Sequence, residues 1–365
     1  LTLPVLIVSR FIQGTGAAAM MAMPLALVRD HASTGQLGRW MGVMGTMQAI
    51  GTASGPAVGG VAVAALGWRA VYLMQIPMAF AAIVLCLVYL QKSKRSPQQG
   101  DVDLLGVGVL VVGLGAVTFL LSDLAHGFDV SIVVLALIAG ASLAAFLVIE
   151  ANTSSPIIPL PLLRSRHFLV SLSTNAIMSL VMMGMLVVGP FFLVGGLALS
   201  TAQMGLVMSV GPISSALSGI PAGRFTEQVG AGRAVITGVW AMGIACAAMA
   251  ILPYFFGLGG FIFAFILLAP SYQVFLAALN TSVMVKAAEQ DRGLVAGILN
   301  FSRNFGFIVG AGAISAVFWS LSRMEIGIED GAQPISFAMA GTFAMCSLVL
   351  LTWALLMAFA RRGAT

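Results

Sequence analysis

The sequence predicts an all-helical protein that crosses a membrane many times, and three observations carry the prediction. Of 365 residues, 60% are hydrophobic and only 8% are charged, with a mean hydropathy of +1.06; ordinary soluble domains carry about 25% charged residues. Apolar stretches of about 20 residues, enough helix to cross about 30 Å of hydrocarbon, recur from one end of the chain to the other. The charges sit singly in the short connections. Although 17 Lys and Arg outnumber 12 Asp and Glu, they form no patch or arm of the kind that binds nucleic acid.

Breaking the apolar runs at charged, Pro-rich or Gly-rich connections gives eleven helices, over 1–28, 39–65, 69–91, 102–122, 130–150, 168–196, 201–222, 233–252, 258–284, 293–319 and 335–360. Short cytoplasmic loops are enriched in Lys and Arg, so alternating the connections across the membrane tests the count. One side receives Arg29, Arg39, Lys92, Lys94, Arg95, Arg164, Arg166, Arg224, Arg233, Lys286, Arg292, Arg361 and Arg362; the other receives only Arg69 and Arg323. A miscounted helix would scramble that asymmetry. The C-terminus is therefore expected to be cytoplasmic and the first residues to lie outside. The chain opens in LTLPVLIVSRFIQG with neither an initiator Met nor a signal peptide, and a piece of a longer protein is expected.

An internal repeat relates two of these helices. GRWMGVMGTMQAIGTASG (38–55) and GLVAGILNFSRNFGFIVG (293–310) align Gly38, Gly42, Gly51 and Gly55 with Gly293, Gly297, Gly306 and Gly310 at a constant offset of 255. Both helices run in the same direction, as a parallel repeat of two halves requires. QKSKRSPQQGDVD (91–103) and EANTSSPIIPLPLLRSRHF (150–168) read as solvated linkers, the second with prolines that exclude helix. The two helices between them have no partner in the repeat and read as an inserted pair.

Three stretches carry chemistry. In RFIQGTGAAA, Arg10 and Gln13 are three apart and share a helix face. An arginine at such a place either faces a cavity or a partner, or snorkels to the interface. In GTASGPAVGG, Gly51, Gly55 and Gly59 are spaced by four and form a face on which a neighbouring backbone can approach, while Pro56 removes an amide donor and bends the helix beside Gly60. GRFTEQVGAGR places Gly223, Glu227, Gly230 and Arg233 in a short polar connection.

Together these stretches resemble the major facilitator superfamily. RFIQGTGAAA is similar to its fourth-helix pattern RxxQGxGAA, and GTASGPAVGG to its fifth-helix antiporter pattern GxxxGPxxGG. GRFTEQVGAGR is similar to the second copy of its loop signature, with Glu227 in place of the usual Asp and Gln228 where a basic residue is usual. The inserted pair, with DVDLLGVGVL and SSPIIPLPLLRSRHF around it, resembles the fourteen-span drug:proton antiporters of the EmrB/QacA kind. That resemblance implies a major facilitator fold whose eleven visible helices are spans 4 to 14. It also implies three parts: 1–91, three helices remaining of the N-terminal bundle; 92–167, linkers plus the inserted pair; and 168–365, a six-helix C-terminal bundle. The implied function is proton-coupled efflux of hydrophobic or cationic drugs by alternating access in the plasma membrane, with a small-molecule substrate, protons and the lipid bilayer as partners. A metabolite, lipid-precursor or siderophore exporter of the same fold is the alternative, and a non-transporting sensor or scaffold a second one.

Proton coupling needs a group that titrates within the membrane, and the twelve acids all fall at helix ends or in connections. In the family an Asp of the first helix commonly serves this step, and that helix is not among the eleven. The polar residues expected inside are Arg10, Gln13, Gln48, Gln75, Asn175, Gln273, Asn280, Asn300, Arg303 and Asn304. Arg303 stands about 16 Å along its helix from the nearest connection, near the midplane, and its repeat counterpart is Gln48. It either contacts substrate or a carboxylate from a cavity wall, or donates to a neighbouring helix carbonyl. Cys86, Cys246 and Cys346 are far apart with no CxxC and no His nearby, so free thiols are expected, and neither a metal nor a cofactor. No His pair, Cys cluster or acid pair lies inside the membrane to suggest an enzyme.

Overall fold

The computed structural model describes residues 3–33, 36–67, 69–89, 103–124, 130–153, 165–323 and 333–362. Most of both expected linkers, 92–102 and 154–164, lies outside them. The described elements are all helical: α1 (Leu3–His31), α2 (Leu37–Leu66), α3 (Arg69–Tyr89), α4 (Leu104–Leu124), α5 (Val130–Asn152), α6 (Arg166–Phe191, continued by a π turn at Phe192–Gly196), α7 (Thr201–Val229), α8 (Ala231–Lys286), α9 (Arg292–Ser322) and α10 (Gln333–Arg362). Nine described segments are long and apolar enough to cross a membrane.

One of them crosses twice. At 56 residues α8 would be about 84 Å long if straight, nearly three hydrocarbon thicknesses. It reverses at Gly257, whose φ of 52° and ψ of −128° are non-helical and open to glycine alone. A Cβ at Gly238 would stand 2.8 Å from the Cα of Phe275, so the two arms run antiparallel and in backbone contact. With α8 counted twice and α2 added, the eleven expected crossings are present.

Several boundaries differ from the expected ones by a few residues, and one larger shift has a local reason. The helix expected to end at residue 222 runs to Val229, because the first residue to leave helical geometry is Gly230, with φ 88° and ψ 136°. Its N–H still bonds the Thr226 carbonyl at 3.0 Å, and its own carbonyl accepts from Arg233 and Ala234 at 3.0 Å, so one glycine joins α7 to α8. The start of α7 carries a capping box: the Gln203 N–H donates to Ser200 Oγ at 3.3 Å and the Ser200 N–H to Gln203 Oε1 at 3.0 Å. Glu150, placed by the sequence in a connection, is 2% exposed in the last turn of α5.

The core lies between α6, α8, α9 and α10, where Phe192, Phe261, Phe265, Phe275, Phe318 and Phe343 are fully enclosed. Phe192 stacks on Phe261 at 5.8 Å, and Phe261 meets Phe265 edge-on at 6.0 Å. The inserted pair packs on itself and leans on the bundle through α4 and α9. The first three helices are joined to the rest through α1 on α9 and α2 on α7 and α8.

Candidate functional site

The repeat extends beyond the glycines that revealed it. Shifted by 255, α1 (Leu3–His31) falls on the second arm of α8, which ends at Lys286, and α2 falls on α9. Two pairs of counterparts touch. Arg29 Nε donates to the Met284 carbonyl at 3.1 Å, and Arg303 Nη1 donates to Gln48 Oε1 at 3.2 Å, each pair separated by 255 residues. Residues exchanged by a two-fold repeat can touch only where they lie on its axis, so these two contacts mark the axis. A cavity of about 270 Å³ sits there. Its lining includes the counterpart pairs Met21 and Leu276, Leu25 and Asn280, Met44 and Leu299, and Gln48 and Arg303.

The two walls of this cavity differ. From α1 and α2 come Met20, Met21, Pro24, Leu25, Met44 and Met47, with Gln48 as the one polar group; from α6, α8 and α9 come Asn175, Asn280, Asn300 and Arg303 with two leucines. Arg303 Nη2 donates to Asn300 Oδ1 at 2.8 Å. Asn300 in turn donates to the Met21 and Ala296 carbonyls, both at 3.0 Å, which ties α9 to α1. Asn304 donates to the Asn300 carbonyl at 2.8 Å, and Asn175 to the Leu299 carbonyl at 2.8 Å. Arg303 lines the cavity, and these two hydrogen bonds go to side-chain oxygens.

Arg10 and Gln13 belong to a different constellation. Arg10 Nη1 donates to Gln13 Oε1 at 2.8 Å and Nη2 to Tyr72 Oη at 2.5 Å, while Gln13 Nε2 donates to Gln75 Oε1 at 2.8 Å. The guanidinium also lies 5.0 Å from the Tyr72 ring centroid. Arg10 therefore has a partner across to α3, and neither Arg10 nor Gln13 lines the axial cavity. Tyr72 was missed by sequence reasoning because it is 62 residues from Arg10 and no local spacing links them.

At the end of the molecule that carries the basic connections, α2 and α7 meet backbone to backbone. A Cβ at Gly38 would stand 2.8 Å from Glu227 Cγ and 3.0 Å from the Gly223 carbonyl oxygen, and one at Gly42 would meet the Gly219 carbonyl and stand 3.0 Å from Gly223 Cα. The Arg39 N–H, one of the unpaired donors in the first turn of α2, donates to Glu227 Oε1 at 2.6 Å. A carboxylate there also meets the positive end of the helix dipole. Arg29, on a carbonyl in the last turn of α8, is the cationic version at a helix C-terminus. The loop motif thus resolves into parts: Gly223 for close approach, Glu227 as the cap of α2, Gly230 for the turn, and Arg233 exposed at the start of α8. The GxxxG spacing of Gly219 and Gly223 was visible in the sequence and would have found this seam. Gln273, from α8, adds a bond to the Gly45 carbonyl at 3.4 Å.

The antiporter stretch is helical within α2. No heavy atom lies within 4 Å of a Cβ built at Gly51; the surroundings of Gly55, Pro56, Gly59 and Gly60 lie outside the described residues. The repeat shows what such a face does: a Cβ at Gly306 would meet the Ala176 carbonyl of α6, and one at Gly310 would stand 2.8 Å from Leu180 Cα.

Helices that repeat one another about a polar cavity on a shared axis are an arrangement found in secondary transporters. The profile of the Major Facilitator Superfamily matches residues 1–311, and the chain belongs to that family. It is 25% identical over 315 residues to the "Uncharacterized transporter YebQ" of Escherichia coli, covering 86% of this chain and 69% of the relative. It is 27% identical over 242 residues to the "Multidrug transporter protein MdtP" of Bacillus subtilis, covering 65% and 44%, and 26% identical over 316 residues to the "Riboflavin transporter RibZ" of Clostridioides difficile, covering 87% and 68%. The chain thus spans from under half to about two thirds of the lengths of these relatives. It is a multi-pass membrane transporter.

Proposed function

We propose that the protein exports amphipathic small molecules by proton-coupled alternating access, the two halves rocking about the axis through the Arg29–Met284 and Gln48–Arg303 contacts. The observation that carries this reading is the cavity built from counterpart residues on that axis, since parallel-repeat transporters hold substrate at the interface of their halves. The methionine wall suits varied apolar bodies, because the flexible thioether chain repacks around different shapes. The α4–α5 pair between the halves supports the fourteen-span drug:proton antiporter kind, placed in the plasma membrane with a cytoplasmic C-terminus. The Arg10–Gln13–Tyr72–Gln75 chain is the proposed proton relay, ready to tune a carboxylate on a neighbouring helix. The described residues that line the cavity include no acid.

Gly51, Gly55, Pro56, Gly59 and Gly60 are proposed as the hinge face of α2. Its support is the repeat, in which Gly306 and Gly310 hold α6 at backbone contact. Replacing Gly55 with Leu is expected to abolish export while insertion persists; unchanged drug resistance would remove the hinge role. The coupling is tested in vesicles holding the full chain. Adding substrate should drive proton movement in the opposite direction, and transport that continues unchanged after the proton gradient is collapsed would sink the antiport reading. The second reading, export of a metabolite, is favoured by the similarity to a riboflavin transporter, and predicts that deletion leaves drug susceptibility unchanged.

A further inference from the structure

We propose that the axial cavity takes an amphipathic organic anion, a sulfonate, sulfate ester or carboxylate on an apolar ring system, with Arg303 as its anion-binding residue. The inference rests on the reading of this cavity as the substrate site. Where the lining residues are repeat counterparts, the backbone frame is the same and the chemical difference comes from side chains. On the axis that difference is a charge: the counterpart of Gln48 is Arg303, and the counterpart of Leu25 is Asn280.

The guanidinium is a cation with a planar fork of donors, and the described residues of the cavity lining include no acid. Two amide oxygens accept from it, Gln48 Oε1 at 3.2 Å and Asn300 Oδ1 at 2.8 Å; both are neutral and orient the guanidinium without neutralising it. The third donor position, Nε, is buried and has no hydrogen-bond partner. A buried donor on a cation left unsatisfied is costly, and an anionic oxygen satisfies both the charge and the donor. The opposite wall, apolar apart from Gln48, then receives the body of the molecule.

The test uses three ligands that share one ring and differ in charge: naphthalene-1-sulfonate, the neutral naphthalene-1-sulfonamide and the cationic N,N,N-trimethyl-1-naphthylammonium. Binding of the tritiated sulfonate to the detergent-purified full chain is measured without a proton gradient, with the other two as competitors. The sulfonate is expected to bind about tenfold to a hundredfold more tightly than the sulfonamide, the range of a charge-assisted hydrogen bond. Arg303→Gln should remove that preference, and sulfonamide binding that persists in the variant shows that the cavity is still formed. If Arg303→Gln binds neither ligand, Arg303→Lys decides, since it keeps the charge: retained preference for the sulfonate supports the site, and its loss overturns it. The proposal is also overturned if the wild-type chain binds neither ligand or both equally, if the preference survives Arg303→Gln, or if the cation binds as tightly as the anion. Because no gradient is needed, Arg303-dependent binding without proton-coupled flux would reject the export reading while leaving the anion site in place.

Discussion

Replacing Gly42 with Leu is expected to cut transport by about fivefold to more than a hundredfold while leaving the amount of membrane-inserted protein close to wild type. At this position α2 and α7 are in backbone contact, and a Cβ would meet the Gly219 carbonyl and stand 3.0 Å from Gly223 Cα and 3.1 Å from its nitrogen. Backbone cannot swing aside as a flexible side chain can. The helices must separate, at an overpacking cost of about 1–3 kcal/mol, and that separation also draws Glu227 away from the Arg39 N–H that it caps at 2.6 Å. A penalty of that size borne by one conformation shifts its population about 5- to 150-fold. On the alternating-access reading proposed above, the seam joins the two halves, and the cost falls on closure at that end and not on the folding of either half. Gly140→Leu in the inserted pair, where no heavy atom lies within 4 Å of the added Cβ, should transport normally. Equal transport by the Gly42 and Gly140 variants in vesicles would show that the seam does not work as a gate.

Gly238→Leu is expected to fail earlier, at folding. The glycine lies on the first arm of α8, and a Cβ there would stand 2.8 Å from both the Cα and the nitrogen of Phe275. Phe275 is fully enclosed and stacks on Tyr272 at 6.3 Å. In lipid, helices gain no hydrophobic drive from meeting one another, so close packing at small residues holds such a pair together. A leucine would part the arms beneath the largest buried cluster of the chain, at a cost of about 3 kcal/mol or more. The expected result is a sharp loss of inserted protein and a lowered thermal midpoint in detergent. Gly259→Leu, near the tip of the same hairpin and with nothing within 4 Å, should be recovered at wild-type levels. Similar yields and midpoints for the two variants would show that the arms do not depend on this contact.

The two glycines look alike in the sequence and differ in consequence. Gly38 and Gly42 belong to the same repeat as Gly293 and Gly297, yet the first two lie against α7 and the second two have nothing within 4 Å. The order reverses further along: Gly51 is open, while its counterpart Gly306 is in contact with α6. Periodicity shows that a face is flat; what lies on it depends on neighbours that are remote in the chain.

The eleven crossings, the basic asymmetry of the connections and the offset of 255 were all legible from residue order, because hydropathy, loop charge and helical spacing are local properties. The polar residues of the cavity could be named for the same reason, since an amide or a guanidinium inside an apolar run is conspicuous wherever it stands. Residue order could not say which of them meet. Arg10 reaches Tyr72 across 62 residues, and Arg303 meets its own repeat counterpart Gln48 across 255; distances along the chain of that size carry no spacing signal. Those meetings, and the different chemistry of the two cavity walls, were decided by how the repeated helices pack around a common axis.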